Sequence, residues 1–173
     1  MESSPENSFA EILTQLQDAG ALKRLILVGS WCLLVYRHTY DNAPEIEFLV
    51  AKMRHGDSVV KVPHLTLSAQ MLAYMDIASK YSQQASFNGI TLNVPEISAF
   101  VLHKILVQPL RNDDAKKEKD AATIRSLSDL IIDRNDLALR TKEIYSEFPQ
   151  KWRNKILSEA MLKYPNIFKI IER

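Results

Sequence analysis

The chain changes character at Pro95. Upstream, short apolar runs over 25–28, 46–50 and 59–62 are punctuated by glycine and proline. Downstream, Ile97, Val101, Leu102, Ile105 and Leu106 recur at helical spacing with no strand-like alternation. Short strands followed by an unbroken helical stretch restrict the chain to the α+β class. The expected architecture is a small mixed sheet with flanking helices over residues 1–94. A C-terminal helical region, 95–173, packs on it.

Local signals fill in the elements. Ser8 and Glu11 form a capping-box pattern, followed by Phe9, Ile12, Leu13 and Leu16 on one helical face and by Gly20 as a stop. Leu25-Ile26-Leu27-Val28 reads as a buried strand ending at Gly29-Ser30, and 31–40 as the helix after the turn. Strands are expected at 46–50, after Pro44, and at 59–62, before Pro63. Asn88-Gly89 suits a type I′ turn, because both residues tolerate positive φ. It joins expected strands over 79–87 and 90–94. Beyond the helix that starts after Pro95, further helices are predicted over 114–133, 135–148 and 151–164, with Pro149 and Pro165 as breaks.

Bulk properties exclude several function classes. Lys and Arg number 22 against 21 Asp and Glu, so no net field draws the protein onto nucleic acid or membrane, and any nucleotide must be gripped locally. Cys32 is the only cysteine. It lies in an apolar run, which fits a core position and a reducing cytoplasm. The run over 25–36 is too short to span a bilayer and the first residues are acidic and polar, so a soluble, cytoplasmic protein without membrane attachment is expected. His38, His55 and His64 have no metal-ligand spacing with one another or with Cys32, which argues against zinc.

A glycine followed by serine between a strand and a helix lets the backbone approach a phosphate closely. The serine hydroxyl and the helix N-terminus add donors and positive potential. Val28-Gly29-Ser30-Trp31-Cys32-Leu33-Leu34-Val35-Tyr36 resembles the signature turn and following helix of polymerase-β-type nucleotidyltransferases, in particular a group of small bacterial members. Ile46-Glu47-Phe48-Leu49-Val50, Asn88-Gly89-Ile90, Val94-Pro95 and Phe100-Val101-Leu102-His103-Lys104 resemble the same group in the same order, and the likeness spans about residues 10–135. The resemblance implies an NTP as substrate, held by Gly29, Ser30 and Lys104. It also implies Mg²⁺ on carboxylates and nucleotidyl transfer to an acceptor, which is a protein, an RNA end or a small molecule.

The carboxylates depart from the family pattern, since no Asp-x-Asp occurs anywhere in the sequence. Under one alignment Glu45 and Glu47 replace the aspartate pair, both on one face of a strand, and hold the metal. Under the other, Glu47 alone survives as the later acidic residue, and the strand carrying the pair is missing between Tyr40 and Ala43. Glu47 is the candidate catalytic residue under both. Glutamates supply the hard oxygen ligands Mg²⁺ prefers, yet their longer side chains shift metals that two-metal chemistry needs roughly 3.5 to 4 Å apart. His103 is expected to pack, and the charge-dense stretch 111–120 to be a solvated helix start. Lys119-Asp120 resembles a family element that braces the helical half against the sheet. Arg54-His55-Gly56-Asp57 reads equally as a turn or as a cation offered to substrate. The alternative to an enzyme is a degenerate relative that binds nucleotide or protein in the manner of a toxin–antitoxin module. A lost strand would then leave unpaired edges, through which homo-oligomers form.

Overall fold

The computed structural model describes residues 5–29, 31–40, 59–61, 68–70 and 74–172. Ser30, Glu45, Glu47, the expected strand over 46–50 and the Arg54 to Asp57 motif lie outside them.

Helix α1, Pro5–Asp18, starts three residues before Ser8, so Ser8 lies within the helix rather than capping it. A proline suits the first turn, where its missing N–H has no partner to lose. Phe9 and Leu13 are buried while Ile12 is exposed, which narrows the buried stripe. Past Gly20 and a 3₁₀ turn over Leu22–Arg24, the run 25–28 forms a single parallel bridge, Ile26 to Asn93, instead of a full strand. The reason lies in Asn93. Its backbone carbonyl accepts from Leu27 N at 2.8 Å, while its side-chain Nδ2 donates to the carbonyls of Leu25 at 3.3 Å and Leu22 at 3.5 Å.

Helix α2, Trp31–Thr39, buries five consecutive residues from Cys32 through Tyr36, as expected of a helix enclosed on all sides. The Tyr36 hydroxyl donates to the Pro95 carbonyl at 2.7 Å, which ties α2 to the end of the hairpin. Strands β1, Val59–Lys61, and β2, Ser68–Gln70, form a small antiparallel pair of their own; β1 falls on an expected strand, and β2 does not.

A short helix α3, Met75–Lys80, was not expected, and its last two residues fall on the start of the expected strand over 79–87. The strand, β3, runs from Ser82 to Phe87 and pairs antiparallel with β4, Ile90–Pro95. Asn88 and Gly89 have φ of 49° and 78°, the double positive that a type I′ turn demands. Ala85, Phe87, Ile90, Leu92 and Val94 face the core.

Helix α4, Ile97–Val107, is buried along almost its whole length and touches α3, α5, α6 and α7. Around it pack α5, Asp114–Asp133, α6, Asn135–Glu147, and α7, Gln150–Lys163, and α8, Pro165–Glu172, packs in turn on those three. Pro165 ends one helix and opens another, because its fixed φ and absent N–H suit the first helical position. Asp113 caps α5 by accepting from the backbone N–H of Ala115 and Lys116. One apolar cluster extends from Phe9 in α1 to Ile171 in α8. The result is α+β: a hairpin with a parallel-bridged neighbour, flanked by helices and followed by a helical half. Among the described residues, no helix is long and apolar enough to cross a membrane.

Candidate functional site

Gly29 ends the bridged segment at φ +80°, a backbone conformation that favours glycine. A Cβ built there would meet nothing within 4 Å, so the glycine is required by its dihedral and not by crowding. The turn faces a cavity of about 30 Å³, whose walls include Val28, Gly29, His103, Lys104, Arg111 and Asp120. A larger cavity of about 280 Å³, lined by Gln17, Lys23, Gln84 and Thr91, includes neither Gly29 nor Lys104. The smaller one carries the chemistry, because a left-handed glycine and several charges meet there.

The ammonium of Lys104, in the last turn of α4, hydrogen-bonds Asp120 Oδ1, and Nε of Arg111 reaches Oδ2 of the same carboxylate at 3.2 Å. Lys104 Nζ also lies 5.1 Å from the centroid of the Phe100 ring. The Lys104 and Asp120 side chains are 9% and 8% exposed, against 25% for Arg111. Among the described residues, two cations share one carboxylate beside the Gly29 turn, so the trio carries a net positive charge.

The effect of that charge extends to neighbouring groups. The Lys119 ammonium is held below its ordinary range, first by burial and then by the like charge of Lys104. Burial pushes the Cys32 thiol up to about 12, with Lys104 pulling the other way. Cys32 therefore stays protonated and hydrogen-bonds the Leu27 carbonyl, which fits the expected core position and excludes a thiolate nucleophile at neutral pH.

The structure brings Gly29 and Lys104, two of the expected phosphate contacts, to one cavity. Ser30, Glu45 and Glu47 lie outside the described residues, among which no cluster of three or more His, Cys, Asp or Glu is arranged to hold a metal. His103 is half-buried at the same cavity. The bracing expected of Lys119-Asp120 takes a different form: Asp120 joins α5 to α4 and to the Arg111 loop rather than to the sheet.

Arg111 was legible only as part of a solvated run, of which residues 112–115 are exposed, and Asp120 only as half of the Lys119-Asp120 brace. The signal that separates Asp120 is periodic. The buried positions Ile131, Leu127 and Ile124 of α5, continued back by one turn, fall on Asp120.

A family model described as nucleotidyltransferase matches residues 38–148. The match begins after the Gly29-Ser30 turn and includes Glu47, the β3–β4 hairpin, Lys104, Arg111 and Asp120. Searches of curated proteins and of solved structures returned no match. Because the matched stretch covers more than half of its length, the chain belongs to the nucleotidyltransferase family.

Proposed function

We propose that the protein binds a Mg²⁺-nucleoside triphosphate at the Gly29-Ser30 turn and transfers the nucleotidyl group to an acceptor. The observation that carries this reading is the cavity in which an open, left-handed glycine adjoins the buried Lys104 ammonium and the partly exposed Arg111 guanidinium, which share one carboxylate. A triphosphate is the ligand class that uses both, taking backbone donors on one side and cations on the other. Glu47, with or without Glu45, supplies the oxygen ligands that Mg²⁺ favours. When bound, the metal neutralises phosphate charge. The acceptor's oxygen forms a bond to the α-phosphorus, the bond to the bridging oxygen breaks, and pyrophosphate leaves. Glu47 takes the acceptor's proton. The acceptor class is a protein, an RNA end or a small molecule, and family membership does not choose among them.

Calorimetric titration of Mg·ATP and Mg·GTP tests binding. Ser30→Ala and Glu47→Gln are each expected to weaken it by about tenfold or more, as loss of a charge-assisted contact implies. Absence of binding by the wild type at millimolar nucleotide overturns the reading. A second reading is a nucleotide-binding module without turnover, favoured by the missing Asp-x-Asp. Transfer of label from α-³²P NTP to an acceptor or to the protein itself separates the two.

A further inference from the structure

The phosphate-cradle reading counts Arg111 only as charge and gives it no contact of its own, although it shares the cavity with Gly29. Three observations set it apart from Lys104. It is the most accessible member of the charged trio, 25% exposed against 9% for Lys104 and 8% for Asp120. It stands on extended backbone (φ −71°, ψ 136°) just after the 3₁₀ turn Gln108–Leu110, whereas Lys104 and Asp120 are embedded in α4 and α5. Its contact with Asp120 runs through Nε at 3.2 Å, to the oxygen that Lys104 does not use.

The cavity itself supplies the constraint. It is small, about 30 Å³, and of its two cations the more exposed one is the freer to turn toward an incoming phosphate. Moving Lys104 would strand a buried ammonium and leave Asp120 with less compensation. Moving Arg111 strands no buried cation, and Asp120 remains paired one-to-one with Lys104.

We propose that Arg111 is the cation that takes the phosphate tail, and that Asp120 is its resident counter-ion, exchanged for phosphate when nucleotide binds. This deepens the nucleotide-binding reading and rests on it. Arg111 swings from one carboxylate oxygen to phosphate oxygens, which its planar fork matches in two-point geometry. Lys104 stays in place and contributes charge at a distance. The pairing with Asp120 also keeps the guanidinium ordered and directed at the cavity before nucleotide arrives.

The experiment compares Mg·ATP, AMP and inorganic triphosphate on the full chain by calorimetry. Arg111→Met is expected to weaken Mg·ATP by about tenfold to a hundredfold, the range for losing hydrogen bonds to a charged group, and AMP far less. A packing role for Arg111 would lower both affinities together, and so would not change the ratio of ATP to AMP binding. Asp120→Asn removes the competitor and is expected to tighten inorganic triphosphate by about tenfold, while lowering the melting temperature of the ligand-free protein. If Arg111→Met binds ATP and AMP with the wild-type ratio, the assignment of Arg111 is overturned while the nucleotide site stands. A folded Asp120→Asn protein that binds triphosphate more weakly than wild type overturns the counter-ion role. Should that variant fail to fold, the Arg111→Met ratio still decides the assignment of Arg111. Lack of Mg·ATP and Mg·GTP binding by the wild type removes the site and this inference with it.

Discussion

The two ends of α4 are held by charge clusters of opposite ratio. At the cleft, the cations Lys104 and Arg111 share the single carboxylate of Asp120. At the other end, the single cation Arg140 of α6 is shared by two carboxylates: Glu96, just before α4, at 2.6 and 2.8 Å, and Glu143 at 3.1 Å. Both arrangements follow the helix dipole, with an acid at the N-terminus and a base in the last turn. They differ in what they leave over. Arg140 is saturated, and its hydrogen bonds to Glu96 raise its affinity for its proton further. The cleft cluster retains a positive charge that its own carboxylate does not cancel. A charge cluster near a cavity is thus informative about ligands only when its ratio is counted. The same residue types at the other end of α4 make a brace.

Breaking the cleft cluster should have the largest effect on stability. Asp120→Ala leaves a buried ammonium uncompensated, with an expected loss of about 3 to 5 kcal/mol in urea denaturation. Arg140→Met tests the other end, where the side chain is 38% exposed and solvent screens the pair. Its expected loss is at most about 1 kcal/mol. Added salt at about 1 M should shrink this loss and leave that of Asp120→Ala nearly intact. Equal losses, or equal salt sensitivity, would erase the contrast.

The smallest effect belongs to Glu147, next to the Arg140 brace. Hydrogen bonds from Lys80 and Tyr81 hold its carboxyl below the usual range. A depressed folded-state value stabilises the fold above the unfolded carboxylate's range and loses that contribution as pH falls through the folded value. Glu147→Gln should therefore melt slightly below wild type at neutral pH, and the two should converge in acid. A gap that stays constant with pH would show that the carboxylate's charge is not what matters there.

The elements that announce themselves locally were legible. The Asn88-Gly89 turn, the 20-residue helix α5 and the helix α6 that ends before Pro149 all carry their instructions within a few residues. Helix α3 does not. It has six residues, with Met75 exposed, and its first turn follows Tyr74 at φ 62°, a conformation no propensity predicts. The segment 25–28 reads as a strand by composition, yet it is held by one distant residue, Asn93, through its backbone carbonyl and its side-chain amide. At the candidate site, Gly29 and Lys104 were legible because their types and neighbours suit a phosphate. Arg111 was hidden in a stretch dense in both charges, and Asp120 was legible as a brace but not as a wall of the cleft, which only the register of α5 distinguishes from the solvated face.

Asn93 has a consequence for how this chain tolerates change. Its hydrogen bonds to Leu22 and Leu25 span 71 and 68 residues, and they fasten the Gly29 segment to β4. Since β4 leads directly into α4, the two walls of the cleft are joined by a short route through Asn93, Pro95 and Ile97. The spacing of Gly29 and Lys104 thus depends on one residue that is part of neither wall, and a substitution at Asn93 would loosen the Gly29 segment without touching Gly29 or Lys104.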